Sequence, residues 1–235
     1  MKPEKTSRTR VAGRLFSEFL VIVLGVLIAL AVDAGWDRRQ DREIERASIQ
    51  SLVNDLDRAD SLLTAAAQRD SVIIRRADSL LAFSVVPGDA FVSLISGIFD
   101  TTPVDVRLRT YDELLNTGRL QLLRDRDLRL TLTEFDAAAR TLSDYSTQVD
   151  IQWSETARPV LYRSVDWDGI AALQGRVWGE PGPDLELPGP EQTVRLEAEL
   201  RAAIRDRRAL AAVRSSWFIA AASDVLERLR ALVAD

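Results

Sequence analysis

From Phe19 to Val32 the chain reads FLVIVLGVLIALAV, fourteen apolar residues without a break. Leu15 and Phe16 extend the run on one side and Ala34 to Trp36 on the other, giving about 22 residues, or ~33 Å of helix. That length matches a bilayer core, with Glu18 and Asp33 at the two headgroup regions and Trp36 as an interfacial anchor. The pattern predicts a transmembrane helix over 15–36. Two other readings fit parts of the same run. Ala29-Leu30-Ala31 has the small-x-small form of a signal-peptide cleavage site, and a buried core helix would also be this apolar. The basic leader and the smooth continuation to Trp36 favour an uncleaved span.

Beyond the run the pattern changes to helical periodicity. No Gly or Pro occurs between Trp36 and Val86, and Leu52, Leu56, Ala59, Leu63, Ala66, Asp70, Ile73, Ala77 and Leu80 alternate at spacings of four and three. This is one face of a long helix with a single polar interruption at Asp70, expected to continue the membrane helix as a stalk until Pro87-Gly88 ends it. Asp89 is expected to cap a short apolar helix stopped at Asp100–Pro103. Thr110-Tyr-Asp-Glu113 has the form of a capping box, with Gly118 closing the helix it opens.

A second seam runs through Leu128, Leu132, Phe135, Ala139, Leu142, Ser146, Val149, Trp153, Thr156 and Val160. Residues 166–190 hold five of the eleven Gly and four of the eight Pro, which predicts a long loop. Gly and Pro are again absent from Glu191 to Asp235. There Leu200, Ile204, Ala211, Phe218, Val225, Leu229 and Leu232 mark an apolar face, with Arg207 and Arg214 at two seam positions. The expected class is all-α: one transmembrane helix leading into an antiparallel helical bundle over 37–235.

Charge sets an orientation. Lys2, Lys5, Arg8, Arg10 and Arg14 precede the span against Glu4, whereas Asp37–Arg46 holds four Arg and four acids. The 1–14 segment is thus expected in the cytoplasm of a bacterium and the bundle in the periplasm, with the chain in the inner membrane. Residues 1–32 carry a net +3, leaving −8 on residues 33–235 out of the chain's −5. An acidic domain is a poor partner for nucleic acid.

The chain has no Cys and no His, and no Lys beyond Lys5. That excludes disulfides, thiol nucleophiles, His-based triads, His-ligated metals and Schiff-base lysines from the bundle. Catalysis would rest on carboxylates, and no pair stands out among 36 acids on solvated faces. Asp166-Trp-Asp168-Gly169 faintly resembles a calcium loop, but Gly175 falls where the closing bidentate Glu belongs. No cofactor or metal is expected. Contact residues are expected instead: Glu18, Gly25, Ala29 and Trp36 towards lipid and partner helices, and Trp153, Trp167 and Trp178 at a docking surface. For the three Trp, pinning the 166–190 loop onto the bundle is the competing role.

Glu18 followed by IVLGVLIAL and a Trp exit, together with Tyr111-Asp-Glu113-Leu114 and Gly118-Arg-Leu120-Gln-Leu122-Leu123, resembles an uncharacterised bacterial family of single-pass membrane proteins. The likeness covers about 14–60 and 108–145; Asp33-Ala-Gly-Trp36 replaces the Asn-rich exit of that pattern. It implies a helical, membrane-anchored protein and assigns no catalytic residue. The expected function is a non-enzymatic accessory subunit bracing a larger membrane complex. By analogy with other small single-span subunits, the host is expected to be a respiratory or photosynthetic assembly. A membrane-anchored periplasmic ligand-binding or signalling protein is the alternative.

Overall fold

The computed structural model describes residues 8–98, 103–157, 159–160 and 193–234. Helix makes up 88% of the described residues, which fits the all-α class. The elements are α1 (Arg8–Leu81), β1 (Val85–Pro87), α2 (Gly88–Ile98), α3 (Arg109–Asn116), a 3₁₀ turn (Leu120–Leu122), α4 (Arg126–Gln152) and a π turn (Trp153–Ala157). Then come β2 (Thr193–Arg195), α5 (Ala198–Val213), a second π turn (Arg214–Ile219) and α6 (Ala220–Ala234). The 166–190 loop with Trp167 and Trp178, the Asp166–Gly169 motif and most of the Asp100–Pro103 stop lie outside the described residues.

Two units emerge, Met1–Gln50 and Ser51–Asp235. In the first, the described side chains of α1 from Leu20 to Trp36 are all exposed. In the second, all nine predicted seam positions of α1 from Leu52 to Leu80, Asp70 included, are 2% exposed or less. Ile73, Ala77 and Leu80 share a core with Phe91, Ile95 and Ile98 of α2, Trp153, and Leu200, Ala203 and Ile204 of α5.

α1 stops at Leu81, short of the expected Pro87. Val86 is pushed towards extended backbone by the proline that follows it, and Val85–Pro87 pairs antiparallel with Thr193–Arg195. Arg201 supplies what the helix end then lacks: its Nη2 donates to the Leu81 carbonyl at 2.9 Å and its Nη1 to that of Phe83 at 2.7 Å. The same strand pair delays the last helix from Glu191 to Ala198. α2 begins at Gly88, so Asp89 falls in its first turn rather than before it.

The capping box does not form. α3 starts at Arg109, placing Thr110 inside the helix, and the Thr110 N–H donates to Asp55 Oδ2 of α1 at 2.8 Å. The cap is tertiary rather than local. The other end follows expectation. Gly118 has φ +69°, and Arg119 N–H donates to the Leu114 carbonyl at 2.8 Å, the paired bonds of a glycine-closed helix.

Polar contacts order α1 against the C-terminal helices. Arg230 meets Asp57 and Asp60 at 2.9 and 3.2 Å, Arg214 meets Asp70, Arg208 meets Asp78 at 2.5 Å, and Arg201 meets the end of α1. As the position advances along α1, its partner retreats along α6 and α5. The exposed pairs contribute little individually; their order carries the information.

Candidate functional site

α1 keeps its predicted seam throughout, whereas α4 and the last helix each depart from theirs at a π turn. A π turn closes i→i+5 bonds and so holds one residue more than an α turn. Ala220 N–H donates to the Ser215 carbonyl, five residues back. Up to Arg214 every predicted position is buried, with Ala203 beside them; beyond it Ile219, Ala222 and Leu226 are buried along with the predicted Val225 and Leu229, and Phe218 is only half-buried. Phe218 instead stacks on Tyr145 of α4, ring centroids 4.3 Å apart. On α4 the Trp153–Ala157 turn likewise buries Ala157 in place of the expected Thr156.

The second π turn opens on the most enclosed ionic contact among the described residues. Asp70 is 0% and Arg214 2% exposed. Arg214 Nε donates to both carboxylate oxygens at 3.2 and 3.0 Å, and its Nη2 to Oδ1 at 2.5 Å, a bidentate fork. Arg214 Nη1 and the buried Ser146 Oγ of α4 find no hydrogen-bond partner. Two helical turns earlier, Arg207 is 1% exposed and its Nε donates to the Ile98 carbonyl at 3.1 Å, closing the C-terminus of α2. The three charged seam positions visible in the sequence, Asp70, Arg207 and Arg214, thus link α1, the end of α2 and the C-terminal helix.

Tyr145 lies beside this layer, its hydroxyl donating to the Leu210 carbonyl at 3.3 Å. Burial raises its pKa above the ordinary tyrosine value; Asp70 adds to the rise, and Arg214 and Arg207 oppose it. A folded-state pKa above the unfolded value of about 10 gives stability that is intact below pH ~10 and is lost as pH rises through the folded pKa. Tyr145→Phe is expected to remove a phenolate step above pH ~10 from an ultraviolet titration; a profile unchanged from the parent would overturn this environment.

A concavity of ≈ 380 Å³ lies beside α4, lined by Asp105, Arg107, Asp112, Asp136, Arg140 and Asp144 among others. Asp136 accepts from Arg140 Nε at 2.9 Å and raises the guanidinium pKa. Asp112 belongs to the Tyr111–Leu114 motif, whose Tyr111 and Leu114 are buried. Among the described residues no cluster of acids could hold a metal ion.

The expected contact residues fall in three groups. Trp153 is 7% exposed and packs in the core with Ile73 and Leu200. Trp36 is 69% exposed, Ala29 is exposed, and a Cβ added at Gly25 would meet nothing within 4 Å. Of Glu18 only its place in α1 is described, and Trp167 and Trp178 lie outside the described residues. Sequence reasoning missed Trp217, 73% exposed on the second π turn. Helical spacing from Arg214 would set Trp217 on the flank of the core face, so periodicity gave no signal for it; the π turn is what carries it outward.

By length and composition one described helix, Ala198–Ala234, is apolar enough to cross a membrane. Its apolar seam is also the face buried in the core. No family model, curated protein or solved structure matches the chain.

Proposed function

We propose that the chain is a single-pass protein of the bacterial inner membrane, spanning it with residues 15–36. Its N-terminus then lies in the cytoplasm, and it acts as a non-enzymatic accessory subunit of a larger membrane complex. The observation that carries this reading is the run from Leu20 to Val32. Its large apolar side chains described here stand 38–67% exposed, ending at exposed Trp36, with no charge between Phe19 and Val32. Such a surface needs lipid or partner helices around it. Ala198–Ala234 is the weaker candidate for the span, because Arg207 and Arg214 sit in its seam and its apolar face already has a core to fill.

The periplasmic part is read as an antiparallel bundle of α1, α4 and α5–α6, supported by the order of the ion pairs. Absence of His, Cys and bundle Lys supports a bracing rather than a catalytic role. Gly25 and Ala29 supply the close-approach face for a partner helix, Glu18 and Trp36 its polar ends, and a bioenergetic complex is the host class favoured by analogy.

Extraction in mild detergent, sizing on a native gel and identification of the co-migrating chains test the role. A stoichiometric complex with other membrane subunits supports it, and a species containing this chain alone discards it. The anchor is tested separately. Leu27→Arg with Ile28→Arg costs ~2.5–3.5 kcal/mol per charge at the bilayer centre and is expected to move the protein out of the carbonate-resistant membrane fraction. Retention there would shift the span to Ala198–Ala234. The aspartate-lined concavity on α4 favours the second reading, a membrane-anchored binding protein for a small cationic solute.

A further inference from the structure

Charge is distributed unevenly about the apolar run of α1. With residues 15–36 as the span, residues 8–14 before it hold Arg8, Arg10 and Arg14 and no acid. Residues 37–43 after it hold Arg38, Arg39 and Arg42 against Asp37, Asp41 and Glu43. α1 runs unbroken through both stretches. At ~1.5 Å per residue each occupies ~10 Å of helix next to the hydrocarbon. That covers a headgroup layer of ~5–8 Å and matches a Debye length of ~8–10 Å, so charges placed there act on lipid headgroups before salt screens them.

The two stretches also differ in how far they neutralise themselves. Residues three and four apart are neighbours on a helix. After the span every arginine has an acid at that spacing: Arg38 has Asp41, Arg39 has Glu43 and Arg42 has Glu45. Before it, Arg8 and Arg10 have none within α1, and Arg14 has only Glu18. Glu4 precedes α1 in the sequence and is outnumbered there by Lys2 and Lys5. Arg10 and Arg14 are themselves four apart, a like-charged pair that costs helix stability unless an anion offsets it.

We propose that Arg8, Arg10 and Arg14 bind the headgroup of an anionic phospholipid in the leaflet on the N-terminal side of the span, and that residues 37–43 show no such preference. The inference rests on the reading of 15–36 as the span. The chemistry recognised is a phosphodiester, whose unesterified oxygens accept from guanidinium N–H groups that can fork onto two of them at once. A zwitterionic headgroup offers the same phosphate but adds an ammonium that a cluster of cations repels. Selection is therefore for net charge. It is confined to one leaflet, because the stretch beyond the other end of the span balances its own arginines. The acidic remainder of the chain, net −8 over 33–235, then lies on the side where no headgroup site is built.

The test is native mass spectrometry of the full-length chain in mild detergent, titrated with phosphatidylglycerol or with phosphatidylcholine of the same acyl chains. The parent is expected to prefer phosphatidylglycerol ~10-fold or more, since each basic residue near a membrane surface contributes about fivefold. Arg8→Gln/Arg10→Gln/Arg14→Gln is expected to cut the preference to ~2-fold or less, whereas Arg38→Gln/Arg39→Gln/Arg42→Gln keeps it. Circular dichroism shows whether each variant is folded, so that lost binding is not a lost fold. A parent without preference, a preference retained by the first variant, or equal losses in the two variants each overturn the proposal. So does displacement of the lipid by inorganic phosphate at constant ionic strength, which would assign the arginines to a free anion. Carbonate extraction of the parent separates this site from the span. A chain that resists carbonate but shows no preference overturns the headgroup site alone, and a chain released by carbonate overturns both.

Discussion

Asp70→Leu is expected to remove ~3–5 kcal/mol of folding stability, read as a fall in the midpoint of chemical denaturation followed by circular dichroism in detergent. The carboxylate is fully buried and accepts three hydrogen bonds from Arg214, itself 2% exposed. Without it a guanidinium stays in an apolar interior with no countercharge, next to an Nη1 that already lacks a partner. Arginine side chains keep their charge inside proteins, so neutralisation offers no relief. The escape left to Arg214 is to swing outward, and that would uncouple the second π turn from α1.

The paired replacement Asp70→Leu/Arg214→Met separates the two parts of this effect. Breaking a buried pair costs far more than replacing both members with apolar residues of similar size, which is often neutral or stabilising. The double variant is therefore expected within ~1 kcal/mol of the parent or above it. A double variant as unstable as Asp70→Leu would mean that the pair's value lies in register, with Arg214 selecting which residue of the last helix faces α1.

That register was half legible in the sequence. The four-three spacing located all nine buried positions of α1 and those of α4 up to Trp153 except Thr131, because a regular helix against a core obeys one period throughout. It also marked Asp70, Arg207 and Arg214 as polar residues in apolar seams. It could not pair them, since the pairing spans 144 residues. The π turns were hidden for a different reason. Phe218 and Ile219 are both apolar, as are Val225 and Leu226, so the sequence offers two adjacent stripes after Arg214 and periodicity takes the unshifted one. Thr110–Glu113 looked like a self-contained cap, but Asp55 reached its N–H first. Val85–Pro87 and Thr193–Arg195 are three residues each, too short for alternation to register.

Deleting Ser216 tests directly whether the second π turn is stored mismatch. Upstream, Arg207, Ala211 and Arg214 are held by Ile98, the core and Asp70. Downstream, Leu226 and Leu229 are buried, and Arg228 and Arg230 pair with Glu134, Asp57 and Asp60. The two halves are out of step by one residue, and the π turn absorbs it. Removing one residue inside the turn lets an α turn join both halves where they stand, so stability is expected within ~1 kcal/mol of the parent. Deleting Ala209 removes the same number of atoms from the backbone with a different result. The downstream half can keep its place, but Ala211 and Arg214 rotate by ~100° out of the seam, leaving Asp70 buried without its partner at a cost of ~3–5 kcal/mol. Equal denaturation midpoints for the two deletions would sink the account of the turn as a one-residue mismatch between two anchored halves. A large gap in the expected direction places the mismatch between Arg214 and Ile219, on the turn that also points Trp217 outward.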